Sequence, residues 1–433
     1  MIARYLAAGL ARRQVHYGWA VVFATFLVML VAAAAMGAPG VLIQPLQAEF
    51  GWSTSQISVA LAVRLVLFGL LGPFAAALIN HFGLRPVVVS AMLLIALGFL
   101  GSLGMTQTWH LLALWGVVVG VGTGMVAMVL GATVATRWFV HRRGVVLGLL
   151  SASSATGQLL FLPLMAELTS RYGWRSATLF VCGLLLLAAA VALLLMRDRP
   201  ADLGLPLYGE LDVAPTLPKQ SFTAHLLSPL RALKMAAGTL TFWVLAGTFF
   251  VCGLSTNGLV QTHFVSLCGD YGLAAVGAAS LLAVMGLFDF IGTLGSGWLS
   301  DRYDNRWLLF WYYGLRGLSL MFLPFTHFNP YGLSLFAVFY GLDWIATVPP
   351  TVKLVADRFG REQAGLVFGW VFAAHQLGAA TAAYGAGWSR TALESYLPAF
   401  FFAGAMCVIA AGSVVVMLDK RALATGAKLQ TAP

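Results

Sequence analysis

Twelve apolar segments constrain this chain of 433 residues more than any other feature. A helix needs about 20 apolar residues to cross the hydrocarbon core of a bilayer. We number the segments helices 1 to 12 in chain order; they fall at roughly 17–38, 55–79, 85–105, 109–136, 144–167, 176–196, 239–266, 273–300, 307–326, 330–356, 363–389 and 395–418. The pattern predicts an all-α membrane protein with twelve transmembrane helices in two six-helix bundles.

The composition excludes a soluble globular domain. Charged residues make up 9% of the chain, whereas soluble domains carry about 25%. The net charge of +10 does not indicate a nucleic-acid partner, because the basic residues lie between apolar segments and not in one patch. The sequence has no phosphate-binding loop, metal-ligand spacing or catalytic triad pattern, so we expect no enzyme activity and no cofactor.

The two sets of helices are related by a constant offset of 221 residues. Matching positions are Glu49 and Asp270, Asn80 and Asp301, Arg85 and Arg306, Gly148 and Gly369, Gly157 and Gly378, and Met196 and Met417. Two related halves are typical of secondary transporters. We expect an N-terminal bundle at 1–196, a polar, proline-containing linker at 197–238, and a C-terminal bundle with a tail at 239–433.

Basic residues set the expected orientation. If the N-terminus is cytoplasmic, the tails and loops on that side hold 20 of the 25 Lys and Arg residues, and the opposite loops hold only Arg171, Arg175 and Arg390. The positive-inside rule then places both termini in the cytoplasm. We expect a multi-pass protein of the cytoplasmic (inner) membrane, surrounded by lipid bilayer and monomeric.

A charged loop follows helix 8. It contains Gly297, Asp301, Arg302 and Arg306, and it resembles the G-x-x-x-D-R-x-x-x-R loop of the major facilitator superfamily. That superfamily carries the loop between helices 2 and 3 and again between helices 8 and 9. The resemblance implies a transporter that works by alternating access, with this loop as a gate latch. The alternative is a charge cluster that only fixes orientation.

The first copy of this loop is degraded. Ala76, Asn80 and His81 replace the glycine, acid and arginine, while Gly83 and Arg85 remain. We therefore expect the latch in the C-terminal half and not in the N-terminal half.

Three further motifs resemble the monocarboxylate and oxalate:formate branch of the superfamily. They are Tyr17-Gly18-Trp19, the run from Trp138 to Gly144, and the run from Arg199 to Gly209. The resemblance implies a small organic anion as substrate. One feature departs from the branch: its acid in helix 8 is followed four residues later by arginine, whereas here Asp289 is followed by Thr293.

Arg64 is the candidate for binding the anion. It lies roughly 13 Å along helix 2 from the outer end, too deep to reach water easily. Its guanidinium offers a fork of donors that matches a carboxylate. The repeat aligns Arg64 with Met285, and Asp289 with Phe68, so the two charges have similar positions in the two halves. The alternative is that Arg64 pairs permanently with a buried acid.

Other polar residues lie within the apolar helices. The superfamily sets helix 2 beside helix 11 and helix 5 beside helix 8, which implies that Arg64 lies near His375 and Gln158 near Asp289. Histidine titrates near physiological pH, so His375 or Asp289 could carry a coupling proton; a packing histidine is the alternative. Asn257, Gln261 and Tyr340 are further candidate cavity residues on the helices that line the superfamily's pathway.

Three further expectations concern the C-terminal half. Arg316 and Asp343 lie at similar depth and predict a structural ion pair. His263, near the outer end of helix 7, is expected at the membrane interface. Pro349 and Pro350 should break helix 10.

These features together predict a secondary transporter for a small organic anion such as a monocarboxylate, driven by proton symport. Anion exchange and efflux of amphipathic compounds are the alternatives within transport. A membrane receptor without transport activity is the alternative from a different class.

Overall fold

The computed structural model describes residues 2–126, 129–210, 212 and 222–418. Within these residues twelve long helical segments follow one another: Gly18–Phe50, Thr54–Phe82, Leu84–Ser102, Thr108–Trp138, Arg143–Tyr172, Trp174–Leu195, Leu240–Asp270, Ala275–Ser300, Asn305–Thr326, Pro330–Phe359, Arg361–Ala392 and Leu397–Met417. Two shorter helices, Ile2–Arg12 and Phe222–Ala237, precede helices 1 and 7.

Eleven of the twelve segments are long and apolar enough to cross a membrane when only described residues are counted. Helix 5, Arg143–Tyr172, is not among the eleven; it has 30 residues, and several of its side chains lie outside the described part. The predicted all-α membrane fold is confirmed. We call the side that carries the first described helix, Ile2–Arg12, and the end of the last, Met417, inner and the opposite side outer.

Prolines affect helices 1 and 10 differently. Helix 1 continues through Pro39 and Pro45 to Phe50, well past its predicted end. Helix 10 stops at Asp343 and resumes at Val348, as predicted, because two consecutive prolines remove two amide donors.

Wide π-helical turns occur in helix 4, at Leu112–Val119, and in helix 7, at Leu254–Val260. Such a turn brings residues five apart onto one face. In helix 7 these residues are Gly253 and Gly258: a Cβ at either would overlap a carbonyl oxygen of helix 11, that of His375 or that of Ala379. Helices 7 and 11 therefore touch backbone to backbone.

The two halves meet along helices 2 and 11, 5 and 8, and 1 and 7. The first two pairings confirm what the resemblance implied. At the outer end the Ser55 amide donates to Thr391 Oγ1 at 3.1 Å, and Gln44 Nε2 donates to the Ser266 carbonyl at 3.4 Å. These bonds join the halves on the outer side.

Each half has its own hydrophobic core. One core is built from residues between Ala3 and Met196, and the other from residues between Ala232 and Leu418, with three side chains added from the first half. The small cluster between helices 2 and 11 consists of Leu65 and three alanines. Small side chains let membrane helices approach closely, so the halves touch without a bulky shared core.

Candidate functional site

Arg64 lies buried between helices 1 and 2. Its Nη1 donates to the Ala35 carbonyl at 3.5 Å and its Nη2 to the Met36 carbonyl at 3.2 Å. Pro39 has no amide hydrogen, so the carbonyl four residues before it, that of Ala35, lacks its helical donor. Arg64 supplies donors at the place where the proline removed one.

The Arg64 guanidinium has no acid partner in the part of the chain that the structure describes. No carboxylate of the described residues lies within 4.0 Å of Arg64, whose Nε has no hydrogen-bond partner. A buried charge without a counter-charge is costly. The expected alternative, a permanent ion pair, is therefore not found, and the site has unused capacity for an anion.

His375 lies in helix 11 but faces helix 7. Its ring centroid is 5.0 Å from that of Phe249, and its Nδ1 has no hydrogen-bond partner. At this level helix 11 contacts helix 2 at Gly69, five residues inward from Arg64. The structure thus places helices 2 and 11 side by side as expected but does not bring His375 and Arg64 into contact.

Gln376 is a residue that the sequence analysis missed. It is completely buried between helices 2 and 11, its Cβ would lie 2.5 Å from a Cβ at Gly69, and both side-chain amide atoms lack partners. The sequence did carry a signal for Gln376, because it is a polar residue within the apolar helix 11. His263, expected near the membrane interface, is fully buried within the protein, with its Nε2 2.8 Å from the Ala383 carbonyl.

Asp289 is buried in helix 8. Its Oδ1 accepts hydrogen bonds from Thr293 Oγ1 at 3.1 Å and from the Ile345 amide at 2.9 Å. The threonine that replaces the arginine of the related branch thus binds the acid directly. Asp289 is consequently connected to the break in helix 10.

The predicted Arg316–Asp343 pair is present, with Arg316 Nε 2.7 Å from Asp343 Oδ2. Arg316 Nη1 also lies 2.9 Å from Cys252 Sγ, which lies 3.3 Å from Thr347 Oγ1. The pair belongs to a buried polar cluster that joins helices 7, 9 and 10.

The remaining predicted cavity residues are dispersed. Tyr340 is buried and its hydroxyl donates to the Ser255 carbonyl at 2.7 Å, in the π-helical turn of helix 7. Asn257 and Gln261 are half-buried in helix 7. Gln158 belongs to helix 5, but its side chain lies outside the described part of the structure.

The charged loop after helix 8 binds the inner ends of helices 10 and 12. Asp301 Oδ1 lies 3.3 Å from Lys353 Nζ, and Arg306 Nη1 donates to the Leu418 carbonyl at 2.6 Å. The Arg302 guanidinium lies 4.1 Å from the ring centroid of Trp298. Among the described residues, no atom lies within 4 Å of a Cβ position at Gly297.

The first copy of the loop makes a related contact in its own half. Gly83 has φ +93°, and the following Arg85 amide donates to Asp198 Oδ1 at 3.2 Å, just beyond helix 6. Arg85 corresponds to Arg306 in the repeat. Each copy is thus bound to the end of the last helix of its own half.

Three motifs of the first half meet at its inner end. The rings of Tyr17 and Trp138 lie 6.0 Å apart, and those of Phe139 and Tyr208 lie 5.5 Å apart. The Tyr208 amide donates to the Trp138 carbonyl at 2.9 Å. Segments far apart in sequence therefore form one aromatic cluster where helix 1 begins.

The relatives found by comparison with known proteins are transporters. The chain is 26% identical over 407 residues to monocarboxylate transporter 13 of Bos taurus, covering 93% of this chain and 89% of that protein. It is 25% identical over 392 residues to the MFS-type transporter YcxA of Bacillus subtilis (strain 168), covering 87% and 90%. It is 27% identical over 338 residues to monocarboxylate transporter 4 of Mus musculus, covering 76% and 67%.

Solved structures share the fold. A crystal structure of a D-xylose-proton symporter superposes with a TM-score of 0.72 at 15% identity, covering 93% of this chain and 98% of that one. An inward-open structure of the xylose transporter XylE from E. coli gives a TM-score of 0.69, covering 95% and 99%.

The sequence profile of the Major Facilitator Superfamily matches residues 25–383 and again 270–428. Members of this superfamily are transporters and not enzymes. The matched residues, the two six-helix halves and the relatives agree: this chain belongs to the Major Facilitator Superfamily.

Proposed function

We propose that this transporter moves a small organic anion, a monocarboxylate, by alternating access coupled to protons. The observation that carries the proposal is the buried guanidinium of Arg64, which has no acid partner among the described residues and whose Nε has no hydrogen-bond partner there. The similarity to monocarboxylate transporters supports the same substrate class.

A carboxylate would bind Arg64 through two parallel hydrogen bonds. The donors Nη1 and Nη2 are held by main-chain carbonyls of helix 1 at 3.5 and 3.2 Å, and neutral carbonyls are weaker acceptors than a carboxylate. The anion would therefore displace helix 1 from Arg64. Substrate binding and a change in the contact between helices 1 and 2 would then be one event.

The remaining assignments extend this proposal. Asp289 and His375 carry the coupling proton, and Gln158, Asn257, Gln261 and Tyr340 contribute to the pathway. The loop of Gly297, Asp301, Arg302 and Arg306, with Gly83 and Arg85 in the first half, contributes to the inner gate. The halves 1–196 and 239–433 move as bodies joined by 197–238, in the cytoplasmic membrane with both termini cytoplasmic.

Uptake into proteoliposomes tests the proposal. Labelled lactate, pyruvate and oxalate are offered with and without an inward-acid pH gradient to the wild type, Arg64→Gln, Arg64→Lys and the control Arg171→Gln. Arg171 lies on the outer side with its side chain 67% exposed. We expect saturable, gradient-stimulated uptake that is lost in Arg64→Gln, weakened in Arg64→Lys and retained in the control.

Two results would contradict the proposal. Carboxylate uptake that is unchanged in a folded Arg64→Gln protein would remove Arg64 as the anion site and favour efflux of amphipathic compounds. If the uptake rate does not depend on the pH gradient but increases when anion is present inside the vesicles, the mechanism is anion exchange and not proton symport.

A further inference from the structure

The break in helix 10 leaves main-chain groups that the helix itself cannot bind. Pro349 and Pro350 lack amide hydrogens, so the carbonyls four residues earlier, those of Ile345 and Ala346, lose their usual helical donors, and the Ile345 carbonyl accepts instead from the Val348 amide at 2.9 Å. Ser296 Oγ of helix 8 donates to the Ala346 carbonyl at 2.5 Å. A side chain of a neighbouring helix therefore replaces one missing bond.

The amide of Ile345 depends on Asp289. Its usual acceptor in a helix, the Gly341 carbonyl, accepts instead from the Trp344 amide at 3.0 Å. Asp289 Oδ1 accepts the Ile345 amide at 2.9 Å. A buried amide without an acceptor is costly, so this carboxylate oxygen fixes the conformation of the break.

Two more contacts position the break. Arg316 Nη2 of helix 9 donates to the Trp344 carbonyl at 3.1 Å, and Thr347 Oγ1 lies 3.3 Å from Cys252 Sγ of helix 7. Helices 8 and 10 also touch directly, because a Cβ at Gly292 would overlap the Leu342 carbonyl. Helices 7, 8 and 9 therefore all bind the four residues, 344–347, at which helix 10 is interrupted.

We propose that Asp289 controls a hinge in helix 10 through the amide of Ile345. The Asp289 carboxylate holds the break closed, and a proton taken up by Asp289 converts it to a neutral acid that binds the amide more weakly. The segments Pro330–Asp343 and Val348–Phe359 then change their mutual angle. Ser296 and Arg316 act as positioning residues that keep the break beside Asp289. The inference deepens the proposed proton coupling and rests on it for the role of the hinge in transport.

The charged and titratable groups around Asp289 are few. Arg316 of helix 9, Asp343 of helix 10 and Cys252 of helix 7 act on it electrostatically. Helix 5 also packs on helix 8, and its titratable residues lie at its ends, at Arg143, Glu167, Arg171 and Tyr172. Arg316 forms its ion pair with Asp343 and not with Asp289, so Asp289 can accept a proton while that pair is kept.

Hydrogen–deuterium exchange of the full-length protein in lipid nanodiscs tests the hinge without substrate. Exchange of peptides covering residues 340–352 is measured at pH 8 and pH 5.5 and corrected for the intrinsic pH dependence of amide exchange. In the wild type we expect about tenfold faster exchange at the lower pH. Asp289→Asn should exchange fast at both pH values, and Asp289→Leu faster still.

Two controls separate proton sensing from packing. Ser296→Ala removes a bond to the break but no titratable group, so its exchange should rise at both pH values and keep its pH dependence. Glu167→Gln changes an acid of helix 5 away from the break and should behave as the wild type. Peptides from helices 3 and 6 report whether each variant is folded.

The hinge and the proposed function can fail separately. If exchange at 340–352 depends on Asp289 but uptake does not respond to a pH gradient, the hinge stands and proton coupling is wrong. If gradient-driven uptake requires Asp289 but corrected exchange is the same in wild type and Asp289→Asn at both pH values, the hinge is wrong. Wild-type exchange that does not change with pH also overturns it.

Discussion

Arg64 and Asp289 are each bonded to the main chain of a proline-containing helix of their own half. Arg64 donates to the Met36 carbonyl at 3.2 Å, and Asp289 accepts from the Ile345 amide at 2.9 Å. Pro39 leaves the Ala35 carbonyl without its helical donor, and at the break in helix 10 the Ile345 amide has lost its helical acceptor to the Trp344 amide. Two side chains of opposite charge, Arg64 in the first half and Asp289 in the second, thus bind main-chain groups near prolines of a neighbouring helix.

Replacing Pro39 should change anion affinity. In Pro39→Ala the restored amide binds the Ala35 carbonyl, which then no longer competes with the anion for Arg64. We expect KM to fall about fivefold, the effect of one net hydrogen bond, and kcat to fall because the anion leaves more slowly. Pro45→Ala is the control. In the wild type Pro45 leaves the Val41 carbonyl without its helical donor, and Arg64 does not bind that carbonyl. An unchanged KM in Pro39→Ala would show that the carbonyl does not compete.

A methyl group at Gly253 should separate helices 7 and 11. Its Cβ would overlap the His375 carbonyl, which belongs to a backbone that cannot move alone. We expect Gly253→Ala to destabilise the protein by about 3 kcal/mol, measured as a lower Tm in detergent. Gly247→Ala lies in the same helix, where nothing is within 4 Å of a Cβ position, and should leave Tm unchanged. Equal Tm values for the two variants would contradict the backbone contact.

Low pH should weaken the aromatic cluster at the start of helix 1. Burial lowers the pKa of His16, and a bond of 3.0 Å between its Nε2 and the Pro206 carbonyl only partly opposes this. Because the folded-state pKa lies below that of the unfolded chain, the stability contributed by neutral His16 is present above the unfolded value and is lost as pH falls through the folded value. We expect Tm to fall more steeply with acidification in wild type than in His16→Asn. Parallel Tm curves would contradict this.

The two arginines of the charged loop should differ in their effect on stability. Arg306 pairs with Asp304 at 2.9 Å and binds the Leu418 carbonyl at the end of helix 12. Arg302 is exposed and stacks on Trp298. We expect Arg306→Gln to lower the free energy of unfolding by about 1–2 kcal/mol and Arg302→Gln to lower it by less than about 1 kcal/mol, with Tm falling accordingly. Thermal unfolding of both variants decides this, and a larger loss in Arg302→Gln would be the contrary outcome.

Two expected pairs of buried residues show which contacts could be predicted from the sequence and which could not. The Arg316–Asp343 pair was predictable because helices 9 and 10 follow each other and place both charges at similar depth. The expected proximity of Arg64 and His375 was not realised as a contact, since depth and helix pairing do not give the rotation of each helix about its axis. That rotation directs His375 to Phe249 in helix 7.

The sequence by itself determined the number of helices, their repeat and the superfamily, because apolar length, charge placement and short motifs are properties of the chain. It also located the break in helix 10, since proline lacks an amide hydrogen wherever it stands. Only the tertiary structure decided which side chains bind the main-chain groups that lack helical partners near these prolines. Those side chains, Arg64 at the Ala35 carbonyl and Asp289 at the Ile345 amide, come from other helices, and their direction depends on how the helices pack.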